Sequence, residues 1–128
     1  AMVPTPTTAP KVKSLLITQP SSIKPWRTNA PVPVSWFIYY SKPTVPANAG
    51  TVLSLYRQEA DRSLTPEGTI TVDDTAKSGV NTYSLTIENT TFPDLIRGRK
   101  YVVAAKVINK LTGEAYSTEY KSGVFTLQ

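Results

Sequence analysis

Residues 81–89, NTYSLTIEN, alternate strictly: Tyr83, Leu85 and Ile87 fall on one side of an extended chain, and Thr82, Ser84 and Thr86 on the other. A period of two marks a strand with one face buried and one face wet. The same period returns along the chain. In PVPVSWFIYY (31–40), Val32, Val34, Trp36 and Ile38 share one face, while Ser35, Phe37 and Tyr39 share the other. Further β-type runs are KVKSLLITQ (11–19), TVLSLYRQ (51–58), GTITVDD (68–74), KYVVAAKVIN (100–109) and EAYSTEYKSGVFTLQ (114–128), the last with a kink expected at Gly123. The threonines and valines suit strands better than helices. The nearest thing to a helical stretch, LYRQEADRSL, is polar and stops at Pro66, so it reads as a strand end and a loop. Many of the 11 prolines fall between the runs, where the missing N–H costs no ladder bond. Seven short strands separated by turn residues predict an all-β fold, an antiparallel seven-stranded β-sandwich.

A chain of 128 residues is expected to form one domain. Residues 1–10, AMVPTPTTAP, read as a Pro/Thr-rich N-terminal arm with a cloning remnant at Ala1 and Met2, and residues 11–128 as the sandwich. No apolar run approaches the ~20 residues of a membrane helix; the longest, YVVAAKVI, is broken by Lys106. The net charge of +5 is mild, and its basic residues are scattered from Lys11 to Lys121. No nucleic-acid partner is expected, because such binders cluster their Lys and Arg on a recognisable module. The chain has no cysteine and no histidine. That removes disulfides, Ser-His-Asp and Cys-His catalysis, and nearly all zinc and copper sites. Asp73 and Asp74 are adjacent carboxylates, but a strand sends them to opposite faces, and a glycoside hydrolase needs two facing one cleft. DDTAKSGVN carries Lys77 at its middle and makes a poor calcium loop. The expectation is a non-enzymatic domain with no catalytic residue, no metal and no cofactor.

One motif has a specific structural meaning. Leu95-x-x-Gly98-x-x-Tyr101 has the spacing of a tyrosine corner, in which a tyrosine opening a strand of a Greek-key sandwich bonds back to the backbone just upstream. Its surroundings, TYSLTIENTTFPDLIRGRKYVVAAKVIN, resemble the E-to-F region of fibronectin type III domains, which implies a fibronectin type III or immunoglobulin-like sandwich. From Ile17 onward the chain also resembles the fungal Ser/Thr-rich, GPI-anchored cell-wall family, the domain of yeast proteins of β-1,6-glucan assembly and killer-toxin resistance. The matching features are ITQP with Trp26, Val34-Ser35-Trp36, Leu53 with Leu55, Tyr83, Gly98 with Tyr101, and Ser122 with Phe125 and Leu127. The chain departs from that pattern at Asn29-Ala30, where the family has a glycine, and shows neither a Ser/Thr-rich tail nor a hydrophobic anchor signal. The resemblance implies a secreted, extracellular or cell-wall location and supplies no catalytic residues.

Candidate binding residues follow from ring chemistry and charge. Exposed aromatic rings cover the apolar face of a sugar, which singles out Trp26 in KPWRTN and Phe37, Tyr39 and Tyr40 near the end of their strand. Trp36 is in phase with the core instead. Arg97, Arg99 and Lys100 form the one dense basic group and are candidates for contact with acidic groups. Asn89-Thr90-Thr91 is a glycosylation sequon. Two partners are expected of a monomer: wall polysaccharide, or a surface or host protein met by an adhesion or effector module through an exposed sheet face. In the second case Tyr56, Val102, Ala104 and Lys106 are expected to share an exposed patch.

Overall fold

Among the described residues eight strands account for the regular structure: β1 Val12–Gln19, β2 Pro31–Tyr40, β3 Ala49–Gln58, β4 Leu64–Val72, β5 Gly79–Thr86, β6 Lys100–Asn109, β7 Tyr120–Lys121 and β8 Phe125–Thr126. The structure is a computed structural model, and it describes residues 11–19, 27, 31–72, 76–86, 95–96 and 98–128, with the side chains of Val32, Thr71 and Val72 outside that description. The strands form two antiparallel sheets. One is three-stranded in the order β1-β2-β5; the other is ordered β4-β3-β6-β7, with β8 also paired to β6. The chain crosses between sheets after β2, after β4 and after β5. No helix occurs among the described residues, and no described helix is long and apolar enough to cross a membrane.

The period-two pattern explains why two sheets form. Val34, Trp36 and Ile38 of β2 are wholly buried, as are Leu53 and Leu55 of β3 and Tyr101, Val103, Ala105 and Val107 of β6. They make one core with Leu15 and Ile17 of β1, Leu85 of β5, and Phe125 and Leu127 at the carboxyl end. Two sheets each apolar on one face have to meet face to face, the arrangement of a β-sandwich. Burying Ile38, Leu53, Phe125 or Leu127 contributes roughly 1.5–3 kcal/mol each. Trp36 fills the largest core volume, and its indole N–H has no partner among the described residues.

Three local features depart from the sequence reading. β4 begins at Leu64 and contains Pro66, which an edge strand tolerates; its register with β3 shifts beside Leu55 and Tyr56, and Glu67 is the extra residue. The last strand is not continuous. It divides into β7 and β8, pairing with Ala104–Ala105 and with Lys100–Tyr101 of β6. The Ser122 hydroxyl accepts the Val103 N–H at 3.0 Å between them. Upstream, Tyr116 leaves strand geometry and plugs the opposite end: its buried hydroxyl donates to the Ala47 carbonyl at 2.8 Å and accepts from Asn109 Nδ2 at 2.9 Å. The N-terminal arm, residues 1–10, lies outside the described residues.

At the entry to β6, Tyr101 is fully buried. Its hydroxyl accepts the Ile96 N–H at 2.9 Å and faces the Ile96 carbonyl at 3.5 Å. Gly98 turns the chain there with φ of 84°, a conformation costly for a residue with a Cβ. Its N–H reaches the Leu127 carbonyl at 2.7 Å, which ties the corner to the carboxyl-terminal strand. Leu95 packs, partly buried, against the core.

Candidate functional site

The register of the three-stranded sheet assembles a surface that no single strand contains. Leu16 of β1 lies opposite Phe37 of β2, and Phe37 lies opposite Val80 of β5. All three point away from the core, since their neighbours Leu15, Ile17, Trp36 and Ile38 point into it. Leu16 is 61% exposed and Val80 59%. Tyr39 sits two residues beyond Phe37 on the same side, 52% exposed, with ring centroids 4.4 Å apart and planes tilted by 34°. Around them the face carries hydroxyls, Ser14 opposite Tyr39 and Ser35 opposite Thr82 with side-chain oxygens 3.3 Å apart, and, farther along β2, Pro33 opposite Ser84. The face is thus aromatic at its centre and carries neutral donors and acceptors around it. Among its described residues Lys13 is the one charge, exposed where the β1–β2 register shifts between Val12 and Ser14.

Tyr40, adjacent to Tyr39 in sequence, does not join this surface. Alternation sends it inward, where it packs against the core and donates its hydroxyl to the Ala76 carbonyl. Burial pushes its phenol up to about 12. Trp26, Asn89 and Arg97 lie outside the described residues, as do Asp73 and Asp74.

Arg99 and Lys100 are exposed beside Gly98 and line an open depression of about 330 Å3 with Gln58, Glu59 and Arg62. Arg62 takes a left-handed backbone, φ 70°, in the turn joining β3 to β4. Glu59 is engaged from the other side. The Thr65 hydroxyl at 2.8 Å and Arg57 Nε at 3.0 Å hold its carboxyl below the usual carboxylate range. The depression therefore presents its positive side. Behind it, the bulge in β4 turns Glu67 inward, where its side chain is 3% exposed and its Oε1 lies 3.1 Å from Arg57 Nη1. Bulges commonly re-aim a side chain this way.

The patch expected around Tyr56, Val102, Ala104 and Lys106 is not exposed. Val102 and Ala104 are buried. Their short side chains lie between the longer ones of Tyr56, Lys106 and Lys121 on the same face, and the Tyr56 hydroxyl is held by the Glu119 carboxylate at 2.9 and 3.0 Å. Leu16 and Val80, by contrast, were not singled out from sequence. The usable signal was that Val80 continues the polar side of β5, in phase with Thr82 and Ser84.

Among the described residues no group of three or more Asp or Glu is placed to hold a metal ion.

No family model matches the chain, and no curated protein sequence does. Solved structures do. A superoxide reductase (neelaredoxin) from Ignicoccus hospitalis is similar with a TM-score of 0.50 at 12% sequence identity, over 91% of this chain and 82% of that one. A variant of the same protein aligns with a TM-score of 0.41 at 12% identity, over 92% and 82%. The first likeness shows a shared all-β fold. It also corrects the expectation that this chain is no enzyme, because an enzyme is built on that fold. At 12% identity the likeness is one of fold and establishes no catalysis here.

Proposed function

We propose that this protein is a secreted, surface- or wall-associated binding domain that takes a neutral polysaccharide on the outer face of its three-stranded sheet. The observation that carries the reading is the Phe37–Tyr39 pair on a face that bears hydroxyls beside it. Such rings cover the apolar faces of sugar residues, while Ser14, Ser35 and Thr82 meet their hydroxyls. A neutral polymer suits a face that is almost uncharged in a chain of net charge +5.

The strand order supports a fibronectin type III-like member of the immunoglobulin-like Greek-key sandwiches. β4 joins β3 in the second sheet, whereas in immunoglobulin constant domains the fourth strand joins the first sheet. β7 and β8 together then serve as the seventh strand, and the Tyr101–Ile96 contact as the tyrosine corner. The resemblance to the fungal cell-wall family supports the location and the polymer class.

A pull-down on insoluble β-glucan and on chitin tests this. Wild type is retained on at least one of them, retention changes little with salt, and Tyr39→Ala or Phe37→Ala weakens it several-fold. No retention at low salt overturns the proposal. One observation favours a protein partner on the same face: Leu16 and Val80 are aliphatic and exposed. On that reading Leu16→Ser and Val80→Ser abolish binding to the partner while glucan and chitin retain nothing.

A further inference from the structure

The edges of the two sheets are protected unequally. An open edge is a row of unpaired backbone donors and acceptors, and proteins blunt it with Lys, Pro or a bulge. β4 has Pro66 and the bulge at Glu67. β1 has register shifts beside Lys13 and Thr18. β5, Gly79–Thr86, has none of these: eight residues run in unbroken register with β2, and the sequence GVNTYSLT holds neither a charge nor a proline. Among the described residues no strand pairs with β5 on its other side.

The direction of its backbone groups follows from one contact. The Ser35 carbonyl accepts from Thr18 Oγ1, so Ser35 faces β1, and its partner Thr82 turns its N–H and C=O away from β2. By alternation Val80, Ser84 and Thr86 do the same. These residues are arranged symmetrically about Tyr83. A two-fold axis through Tyr83 sets Val80 opposite Thr86 and Thr82 opposite Ser84 of a second chain, and every outward N–H and C=O finds a partner. The two Tyr83 rings, each partly buried against its own core, then meet as a close cross-strand pair, a favourable contact.

We infer that two copies of this chain associate through β5, antiparallel, in that register, joining their three-stranded sheets into one of six strands. A chain of net charge +5 repels its copy overall, but no charge lies on this strand. The outer faces become continuous, with Val80 of each copy beside the seam. The inference does not rest on the polysaccharide reading. Strand pairing alone buries less than the ~1,200 Å2 of a standard interface, so the dimer is weak and its equilibrium visible at high protein concentration.

Sedimentation equilibrium across a concentration series tests it. The wild-type mass rises from 14.0 kDa toward twice that value, and rises further at high salt as the repulsion is screened. Thr82→Pro removes one outward N–H and spares the β2 ladder; Ser84→Lys places a charge at the seam. Each weakens association at least ten-fold, and circular dichroism shows the wild-type fold. If the proline variant unfolds, the lysine variant carries the test. Leu16→Ser, on the outer face away from the edge, leaves association unchanged. A mass fixed at that of the monomer to millimolar concentration overturns the inference, as does association that survives Ser84→Lys or is lost in Leu16→Ser.

Discussion

Tyr101→Phe separates the two roles that the corner residue combines. The ring is wholly buried, with its centroid 6.4 Å from that of Phe125; phenylalanine keeps that volume, so no cavity opens. What is lost is the hydroxyl that accepts the Ile96 N–H at 2.9 Å. A polar group left without its partner costs about 1–3 kcal/mol. Ile96 itself is 43% exposed, so water recovers part of the loss, and the expected cost is about 1.5 kcal/mol. An unfolding entropy of about 2.1 cal/mol/K per residue over 128 residues is about 0.27 kcal/mol/K, which places the fall in Tm near 5–6 °C. Tyr101→Ala also empties the core and costs about 3–5 kcal/mol. The assay is equilibrium urea unfolding of wild type and both variants, with the slope unchanged between wild type and Tyr101→Phe. A loss under about 0.5 kcal/mol for Tyr101→Phe refutes the reasoning, because the hydroxyl then does not hold the corner. Equal losses for the two variants refute it too, since the ring would then contribute nothing.

Three other outcomes follow. Gly98→Ala forces a left-handed backbone on a residue with a Cβ in otherwise open space, so it costs about 1–2 kcal/mol in the same urea assay; no change would mean the φ of 84° is not needed. Tyr40 holds its proton more tightly folded, at about 12, than unfolded, at 10.0. Its contribution is therefore complete below pH 10 and lost as pH rises from 10 through 12. Burial also raises Tyr101 and Tyr56, which act in the same direction. Thermal melts across that range show the decline, and Tyr40→Phe makes it shallower; an unchanged slope contradicts the burial argument. Arg57→Met leaves the Glu67 carboxylate without its guanidinium and removes one of the groups that hold the Glu59 carboxyl low, so the urea midpoint drops at neutral pH and the deficit narrows in acid as Glu59 gains its proton. A deficit that does not depend on pH would show that the pair matters only through packing.

The period-two pattern was legible because burial on one face is recorded residue by residue. It placed β2 and β6 at their observed limits, and β1 within one residue. Where burial is not what decides, the sequence was mute. Pro66 and Glu67 look like a loop, yet an edge strand with a bulge accommodates both, and the bulge directs Glu67 to Arg57. The division of the last strand into β7 and β8 depends on which part of β6 each piece meets, a contact between distant residues. The site shows the same limit. Phe37 and Tyr39 stood out because they are out of phase with Trp36 and Ile38. Leu16 and Val80 join them only through strand register, which sequence does not display. Tyr40 was grouped with Tyr39 by adjacency, although adjacent residues in a strand face opposite ways.

The claim on which the functional account stands is that the outer face of the three-stranded sheet is the binding surface. Backbone amide shifts of the isotope-labelled protein, titrated with a soluble β-glucan or chitin oligosaccharide, address it most directly. The account predicts perturbations gathered on Ser14, Leu16, Ser35, Phe37, Tyr39, Val80 and Thr82. Perturbations gathered instead on Gln58, Arg62, Arg99 and Lys100, or none with either sugar at millimolar concentration, would contradict it.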